Sequence, residues 1–347
     1  MADKKVSIDG EIIRKIAERE GTPFNIYDGD AILSFAKRFY KAFSWADGFT
    51  NYFAVKALPN INILRLLKSA GMGGDCSSLP ELMLCETAGI TGNRIMFSSN
   101  DTPLEEFRKA FELGAIINLD DIKHIESVLK ACPSFPESIS FRYNPGKDRT
   151  GNAIIGNPVE AKYGVTKDQV VECYRIAKEK GAKHFFIHAM VASNCLKEDD
   201  IVETARMLFD LVAMIRTETG VAIEGVDFGG GIGIPYKPSD KEMDIEAIGS
   251  RIRELYDGII VSKGFGPLKI AFECGRCVTG PYGYLVSKVR HVTHKYKDYV
   301  GLDACMADLM RPGLYGAYHH ITVLGKESKP SDFKYDVTGS LCENNDK

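Results

Sequence analysis

Short apolar stretches alternate with longer amphipathic stretches through most of the chain. Several short stretches, such as Phe185-Phe186-Ile187 and Ile270-Ala271-Phe272, are apolar at every position, which is typical of parallel strands that are buried on both faces. The pattern predicts eight strands, at 50–57, 73–78, 94–99, 115–119, 138–144, 183–190, 225–229 and 269–274. Between them it predicts helices near 60–70, 79–89, 103–113, 121–131, 167–180, 199–219 and 242–262.

Eight strand–helix units within about 230 residues predict a (β/α)₈ TIM barrel, whose typical length is about 250 residues. A doubly wound open sheet is the alternative, but it usually has fewer strands and collects its chemistry at one switch point. Here, residues able to do chemistry follow the first, second, sixth, seventh and eighth predicted strands. Because residues from several strands meet at the mouth of a barrel, the barrel is the predicted fold.

The segments before and after the barrel have other patterns. Residues 10–20 predict an amphipathic helix and residues 23–28 a strand, with Asp28 or Asp30 as the cap of a helix at 31–43. After residue 280, alternating apolar positions without a long helix predict an antiparallel β domain, with strands at 283–289, 299–303 and 318–323.

The predicted organisation therefore has three parts. An N-terminal segment (1–30) packs with the β domain, the barrel spans 31–282, and a partial C-terminal β domain spans 283–347. Because this β domain stops at Glu343-Asn344-Asn345-Asp346-Lys347 without a closing element, the chain is expected to be truncated.

Composition narrows the class of protein. The 347 residues carry a net charge of −3 and are 44% hydrophobic, which supports a substantial core and offers no basic surface for nucleic acid. No apolar run has the length of a membrane span, and the start of the chain lacks the apolar core of a signal peptide. Nine scattered cysteines fit a reducing compartment. A soluble cytoplasmic protein is expected, without nucleic-acid or membrane partners.

A metal site is not expected. The C-x-x-C run Cys274-Gly275-Arg276-Cys277 has neither a predicted helix start nor a second cysteine pair beside it. His184 and His188 are four residues apart, but in a predicted strand rather than a helix, and the adjacent His319-His320 would face opposite ways in a strand.

The run Gly229-Gly230-Gly231-Ile232-Gly233 follows the seventh predicted strand. Glycines let backbone N–H groups surround a phosphate, and barrels often bind phosphate at the loops after strands seven and eight. The other interpretation is a plain glycine turn. At this position in a barrel, the phosphate interpretation is favoured.

Lys56 ends the first predicted strand, and Glu273 and Arg276 end the eighth. A lysine at a buried strand end could form a Schiff base with pyridoxal phosphate (PLP), or its stem could simply extend the ammonium to solvent. A carboxylate such as Glu273 could keep the pyridine nitrogen of PLP protonated, and Arg276 could bind the phosphate or a substrate carboxylate. A surface ion pair between Glu273 and Arg276 is the other possibility.

Two further pairs lie in the predicted β domain. Arg311 and Tyr315 flank Pro312-Gly313, which predicts a fixed loop on which the two side chains could clamp a carboxylate. Cys342 and Glu343 could serve as a proton donor and an amine binder, or could lie on an exposed tail.

Taken in order, these segments resemble the fold-type III PLP-dependent decarboxylases, which share an alanine racemase-like barrel, and most closely the diaminopimelate decarboxylases. The resemblance covers nearly the whole chain. The matching segments are Tyr52-Phe53-Ala54-Val55-Lys56-Ala57, Asp75-Cys76-Ser77-Ser78 with Glu81, 229–236, Glu273-Cys274-Gly275-Arg276, 308–318 and 336–346.

The resemblance implies a role for each matching residue. Lys56 would bind PLP covalently, and Glu273 would contact the pyridine nitrogen. Ser193, Gly231 and Arg276 would lie around the phosphate, although Arg276 could instead meet the substrate. The full set of implied cofactor-binding residues is Lys56, Asp75, Ser193, Gly229, Gly230, Gly231, Gly233, Glu273 and Arg276.

The resemblance also implies how substrate is bound. Arg311 and Tyr315 would hold a substrate carboxylate. Cys342 would be catalytic, and Glu343 would bind the distal ammonium of the substrate. Both residues would enter the partner subunit's site, which implies a homodimer with sites shared across the interface.

Four departures from the family pattern stand out. Met190 occupies the position of a histidine that usually stacks on the cofactor, and His188 matches an earlier family histidine that does not stack. Cys274 replaces a common proline, and Asn344-Asn345 replaces the usual Ser-Gly. The closing β segment of the family, which carries a cofactor-contacting tyrosine, is absent.

The reaction implied by the resemblance is PLP-dependent decarboxylation of meso-2,6-diaminopimelate to L-lysine, the last step of lysine biosynthesis. Decarboxylation of another basic amino acid (ornithine, arginine or lysine) is the alternative within the class. A non-catalytic PLP-binding protein and an aldolase-type barrel using Lys56 without PLP are alternatives from other classes. An amino-acid racemase is disfavoured, because it would be expected to place an arginine where Glu273 stands.

Overall fold

In the computed structural model, which describes residues 5–149, 156–330 and 332–347, the chain divides into two compact units. The larger unit comprises Ile32–Ile234 and Glu242–Pro281, and the smaller comprises Pro235–Lys241, Tyr282–Lys347 and the residues up to Ala31.

The strands, in chain order, are β1 (Phe24–Tyr27), β2 (Thr50–Ala54), β3 (Gly73–Cys76), β4 (Ile95–Ser98), β5 (Ile116–Leu119), β6 (Ser138–Arg142), β7 (His184–His188), β8 (Ile223–Asp227), β9 (Lys269–Phe272), β10 (Gly283–Val286), β11 (Val289–His294), β12 (Asp298–Leu302) and β13 (Asp336–Thr338). The helices are α1 (Gly10–Glu20), α2 (Gly29–Ala42), α3 (Ile61–Ser69), α4 (Leu79–Ala88), α5 (Leu104–Glu112), α6 (His124–Ala131), α7 (Lys167–Glu179), α8 (Glu198–Thr219), α9 (Ile245–Ile259), α10 (Arg276–Thr279) and α11 (Arg311–Tyr315).

Strands β2 to β9 form a closed parallel barrel in which each strand pairs with its sequence neighbours and β2 closes the ring with β9. The predicted TIM barrel is therefore confirmed. Local signals set the bounds of several helices: Asn60 accepts from two backbone amides at the start of α3, and Thr166 and Gln169 form a capping box on α7. Asp28 accepts from the backbone amide of Ala31 at 3.0 Å, as predicted for the cap of α2.

The barrel interior is layered because side chains alternate along each strand. One buried apolar layer is formed by Tyr52, Met96, Ile116, Phe186 and Ala271. Two residues further along four of these strands the side chain is polar, and these residues are Ser98, Asn118, His188 and Glu273. A polar layer thus lies directly above an apolar layer, at the carboxyl end of the strands, where barrels carry their active sites.

Aromatic residues fill the space between α2 and the barrel wall. Phe39 lies with its ring centroid 5.6 Å from that of Phe272 on β9, and Phe43 stacks on Phe49 at 4.6 Å. Phe39, Phe43 and Phe272 are fully buried, so this cluster fixes α2 on the barrel.

The smaller unit contains two sheets. β1 pairs antiparallel with β10, with Phe24 opposite Val286, and β11 pairs antiparallel with β12. The third strand of the second sheet, β13, runs parallel to β12, which the alternation pattern did not predict.

Two sequence predictions for the smaller unit are wrong. Residues 318–323 form no strand, because their apolar side chains have no buried face to rest on: Ile321 is 62% exposed. The loop predicted around Pro312-Gly313 is instead the one-turn helix α11, since proline fits the first turn of a helix and Gly316 ends it in a left-handed conformation. Among the described residues, no helix is both long and apolar enough to cross a membrane.

The apolar layer leaves no space for a larger side chain at Gly225. Gly225 lies opposite Phe186 in the ladder, and a Cβ added there would stand 2.7 Å from a ring carbon of Phe186. Gly225→Ala should therefore destabilise the protein by about 1–3 kcal/mol. The same change at Gly258, exposed on α9 with no atom near the added Cβ, should stabilise it by roughly 0.5–1 kcal/mol. Denaturant unfolding measures the free energy of unfolding of both variants and of the wild type. Equal changes in the two variants would contradict the packing argument.

Candidate active site

Lys56 lies at the mouth of the barrel. The strand predicted to contain it ends at Ala54, and Lys56 is the central residue of a single 3₁₀ turn, Val55–Ala57. Its Nζ is 3.6 Å from Oδ2 of Asp75 at the end of β3. The Lys56 side chain is 62% exposed and that of Asp75 is 2% exposed, so the amine is accessible while its carboxylate partner is enclosed.

Asp75 is a buried carboxyl with an unusual titration. Its Oδ1 has no hydrogen-bond partner in the described part of the chain. Burial, followed by the negative charge of Glu273, raises the pKa of Asp75 to about 8. Asp75 can therefore gain or lose a proton close to neutral pH.

Glu273 follows β9 directly and is 8% exposed. Its Oε2 lies 3.0 Å from Nε2 of His188, and its Oε1 accepts from the Ser98 hydroxyl at 3.1 Å. Burial alone would raise the pKa of Glu273, but the hydrogen bond with His188 and the positive charges of Lys56 and Arg142 lower it below its usual range. Glu273 is therefore a carboxylate anion at neutral pH.

The interior polar layer holds residues that the sequence did not single out. Asn118 Nδ2 lies 3.0 Å from both Ser98 Oγ and His188 Nδ1. The buried Asp227, at the end of β8, accepts from the Gly229 backbone amide at 2.8 Å. Burial, followed by the negative charge of Glu273, raises the pKa of Asp227 well above its ordinary value, which favours the protonated form of this carboxyl.

Arg142, at the end of β6, lines a cleft beside this layer. Its Nη1 is 3.6 Å from Oδ1 of the buried Asp120, and its guanidinium lies 4.3 Å from the ring centroid of Tyr163. Met190 and Val191 line the same cleft. Arg142 therefore places a positive charge beside the site, held by an acid and an aromatic ring.

The glycine run packs tightly against two neighbouring segments. A Cβ on Gly230 would stand 2.8 Å from the Glu273 carbonyl oxygen, and one on Gly231 would stand 2.7 Å from that of Ala192. Gly229 and Gly231 also have φ of 69° and 109°, which favour glycine. The structure thus gives these glycines a packing reason that is independent of any phosphate.

Ser193 and Arg276 lie beside the glycine run in different ways. The segment that contains Ser193 is bonded to the run, because Cys195 N–H donates to the Gly231 carbonyl at 2.8 Å and Gly233 N–H donates to that of Cys195 at 2.8 Å. Arg276 is half-buried at the first position of α10. In the same run, Gly230 N–H donates to the Met190 sulfur at 3.1 Å.

Arg311, Tyr315, Cys342 and Glu343 belong to the smaller unit. The Arg311 guanidinium lies 4.5 Å from the Tyr236 ring centroid, and its Nη1 is 3.1 Å from His319 Nε2. Tyr315 is 68% exposed, and Cys342 is exposed.

The segment that carries Cys342 and Glu343 is tied back to its own unit by Asp346. The Asp346 carboxylate accepts from the backbone amides of Met306 at 2.6 Å and Leu341 at 2.8 Å. Asp346 is 5% exposed, so a buried carboxylate fixes both ends of this loop.

His188, Asp227 and Glu273 present donor atoms within 4.8 Å of one another, a spacing that could hold a metal ion. Both ring nitrogens of His188 are already engaged, however, one with Glu273 and the other with Asn118. A metal would have to break one of these bonds. The donor set suits a cofactor with an aldehyde and a basic ring nitrogen better, since Lys56 supplies an amine and Glu273 supplies an anion.

Ser98 and Asn118, which the motifs do not single out, can nevertheless be recognised in the sequence. Ser98 and Asn118 are single polar residues in otherwise apolar strands, each two positions after a residue of the apolar layer. In a closed barrel that spacing points them into the same interior.

Comparison with known proteins agrees with this arrangement. The family described as "pyridoxal-dependent decarboxylase, pyridoxal binding domain" matches residues 30–280. Protein TabA of Pseudomonas amygdali pv. tabaci is 39% identical over 328 residues, which are 94% of this chain and 76% of that protein. The diaminopimelate decarboxylase of Methanothermobacter thermautotrophicus is 32% identical over 342 residues, which are 98% of this chain and 79% of that protein.

A solved structure gives the same result. The crystal structure of diaminopimelate decarboxylase from Helicobacter pylori complexed with L-lysine superposes with a TM-score of 0.84 at 28% sequence identity. The match covers 96% of this chain and 82% of the other.

The raised pKa of Asp75 makes the stability of the cofactor-free protein depend on pH. An unfolded aspartate loses its proton near pH 4, whereas folded Asp75 keeps it until about pH 8, so folding stability falls as pH rises through this window. Asp75→Asn removes this loss. The stability of the variant relative to the wild type should therefore rise between about pH 4 and 8, with a slope of at most about 1.4 kcal/mol for each tenfold fall in proton concentration.

Urea unfolding at several pH values measures this difference. Asp210→Asn, the same change at an exposed position of α8, is the control. A flat difference between Asp75→Asn and the wild type across this pH range would show that Asp75 is already ionised.

Proposed function

Because the chain belongs to the family of pyridoxal-dependent decarboxylases, we propose that it decarboxylates meso-2,6-diaminopimelate to L-lysine and CO₂. The observation that carries the decarboxylation is the presence in one barrel of an accessible amine, Lys56, and a buried carboxyl, Glu273, that is hydrogen-bonded to His188 and Ser98. When bound, PLP supplies an electron sink for the bond that breaks as the carboxylate leaves.

Lys56 would anchor the cofactor through its amine, which must first lose a proton. The carboxyl beside that amine is Asp75, whose Oδ2 lies 3.6 Å from Nζ. Because its pKa is about 8, Asp75 can accept the proton only in its ionised form, which becomes more populated as pH rises towards 8. The exposed position of the Lys56 side chain at the barrel mouth leaves room for an incoming amino acid to displace it.

Glu273 would hold a proton on the cofactor's ring nitrogen. Because its partners hold its pKa below the usual range, it is an anion at neutral pH and favours a positive partner. A protonated ring accepts the electrons left by decarboxylation more readily than a neutral ring. This role favours decarboxylation over racemisation at the same site.

The cofactor phosphate is proposed to bind at the glycine run together with Ser193 and Arg276. The run follows β8 and Arg276 begins α10 after β9. These are the seventh and eighth strands of the barrel, whose loops are a common phosphate site. The backbone amides of Gly229, Gly230 and Gly233 already donate within the protein. The donors proposed for the dianion are therefore the Gly231 amide, the Ser193 hydroxyl and the half-buried Arg276 guanidinium.

For the substrate, we propose that Arg311 and Tyr315 bind a carboxylate, and that Cys342 and Glu343 act in the partner subunit's site of a homodimer. The argument for diaminopimelate is the sequence similarity to a diaminopimelate decarboxylase over almost the whole chain. The relative with 39% identity, TabA, has a name that states no reaction, and Met190 and Asn344-Asn345 depart from the family pattern. Another basic amino acid, or PLP binding without catalysis, is therefore the competing proposal.

A substrate panel tests the reaction. The purified full-length protein should release CO₂ from meso-2,6-diaminopimelate faster than from ornithine, arginine or lysine. Lys56→Ala should lower that rate by several orders of magnitude, because the covalent anchor is lost. Lys130→Ala, which removes an exposed lysine of α6, should leave the rate unchanged. If CO₂ is released only from another amino acid, diaminopimelate is not the substrate. If Lys56→Ala keeps full activity, Lys56 is not the covalent anchor and the proposed mechanism is wrong.

Mixing two impaired variants tests the shared sites. If Cys342 acts in the partner's site, then Lys56→Ala and Cys342→Ala complement each other in mixed dimers that contain one intact site. After subunit exchange at equal amounts, activity should recover to about a quarter of the wild-type value. Sites built from a single subunit would show no recovery.

A further inference from the structure

Four polar side chains close a ring of hydrogen bonds across the barrel interior. Ser98 on β4 bonds to Glu273 at 3.1 Å, and Asn118 on β5 bonds to Ser98 at 3.0 Å. Asn118 also lies 3.0 Å from His188 on β7, which in turn lies 3.0 Å from Glu273 after β9. Because the members come from four different strands, the ring joins opposite walls of the barrel.

With the Asn118 amide oriented as in the structure, its Nδ2 faces both Ser98 and His188, and its buried Oδ1 has no hydrogen-bond partner among the described residues. In this orientation the inventory of donors and acceptors assigns the protons of the ring. The Ser98 hydroxyl donates its single proton to Glu273 Oε1, so it accepts from Asn118 Nδ2. The second N–H of Asn118 then points to His188 Nδ1, which must be an acceptor. His188 is therefore the neutral tautomer that carries its proton on Nε2 and donates it to Glu273 Oε2.

The result is that each oxygen of Glu273 receives one hydrogen bond from inside the barrel. Rotating the carboxylate would break both bonds at once, and protonating it would remove an acceptor from a buried donor, which costs free energy. Other ionisable groups also face His188 and Glu273, and these are Asp75 of β3, Asp227 of β8, Asp120 after β5, Lys56 after β2 and Arg142 of β6.

We propose that Ser98, Asn118 and His188 are positioning residues that hold Glu273 in one orientation and as an anion for the cofactor's ring nitrogen. The inference rests on the proposed function of Glu273. It adds that the orientation comes from a ring that passes through the neutral His188, with Asn118 selecting the tautomer.

The competing explanation is that these side chains only fill the barrel. Ser140 allows the two explanations to be separated. It is a fully buried serine on β6, between β5 and β7, and its hydroxyl has no hydrogen-bond partner among the described residues. Ser140→Ala is therefore the same chemical change as Ser98→Ala, at a similar depth in the interior but outside the ring.

The first experiment uses purified holoenzyme of the full-length protein. Ser98→Ala and Asn118→Ala should lower kcat about 10- to 100-fold, as expected for residues that orient a group in contact with the cofactor, with little change in KM. They should also weaken PLP binding and change the pH dependence of the bound cofactor's absorbance. Ser140→Ala should do neither, and Ser98→Thr, which keeps the hydroxyl, should restore wild-type behaviour.

The second experiment needs no activity. Nitrogen NMR of protein with ¹⁵N-labelled histidine rings reports which nitrogen of His188 carries the proton, with His188→Gln used to assign the signal. The wild type and Ser140→Ala should show the neutral Nε2–H form around neutral pH, and Asn118→Ala should show a mixture of tautomers. Thermal unfolding of each variant identifies any change that comes from misfolding.

Two results would overturn the inference. One is a doubly protonated His188 in the wild type at neutral pH, and the other is Ser98→Ala behaving like Ser140→Ala in kcat and in the cofactor spectrum. If the protein binds PLP but releases CO₂ from no amino acid, the proposed function fails, while PLP affinity, the absorbance titration and the tautomer still decide whether the ring positions Glu273.

Discussion

The alternation of side chains in a closed parallel barrel is the constraint on which the rest of this structure depends. In each strand, one residue points to the helices and the next points to the interior. Because Met96, Ile116 and Phe186 point to the interior, the side chains two positions later in the same strands point to the interior as well. Since the polar layer lies above an apolar one, the local dielectric constant is low. Electrostatic interactions and hydrogen bonds within the polar layer are therefore stronger than they would be in water.

That layer shows how one environment can give three carboxyl groups different states. Burial raises the pKa of Asp227 well above its ordinary value, Asp75 has a pKa of about 8 beside an accessible lysine, and the partners of Glu273 lower its pKa. The difference arises from the partners, since only Glu273 accepts bonds from both a histidine and a serine. Glu273 is therefore the carboxyl of this site that most strongly attracts a positively charged group at neutral pH.

The barrel and several of its site residues could be predicted from the sequence, because buried parallel strands consist of short apolar runs. All eight barrel strands lie where the runs are, and Lys56, Asp75 and Glu273 stand out as charged residues at strand ends. The ring could not be predicted in the same way. Ser98, Asn118 and His188 lie far apart in sequence, and only the closure of the barrel brings them together.

The errors have physical causes as well. Residues 318–323 alternate like a strand, yet alternation indicates a strand only where one face is buried. A proline within a helical pattern usually predicts a break, but Pro312 lies in the first turn of α11, where proline is compatible with a helix. In both cases the local pattern was ambiguous, and the surroundings of the segment decided the outcome.

The pairing of β1 with β10 has a consequence for how the molecule is made. β1 lies before the barrel in the sequence and β10 lies after it, so a ribosome must synthesise the entire barrel before β1 can meet its partner. A growing chain therefore carries an unpaired amino-terminal strand for most of its synthesis. Such contacts between distant parts of a chain form late and slowly, and the sheet of β1 and β10 accordingly cannot form until the whole barrel has been synthesised.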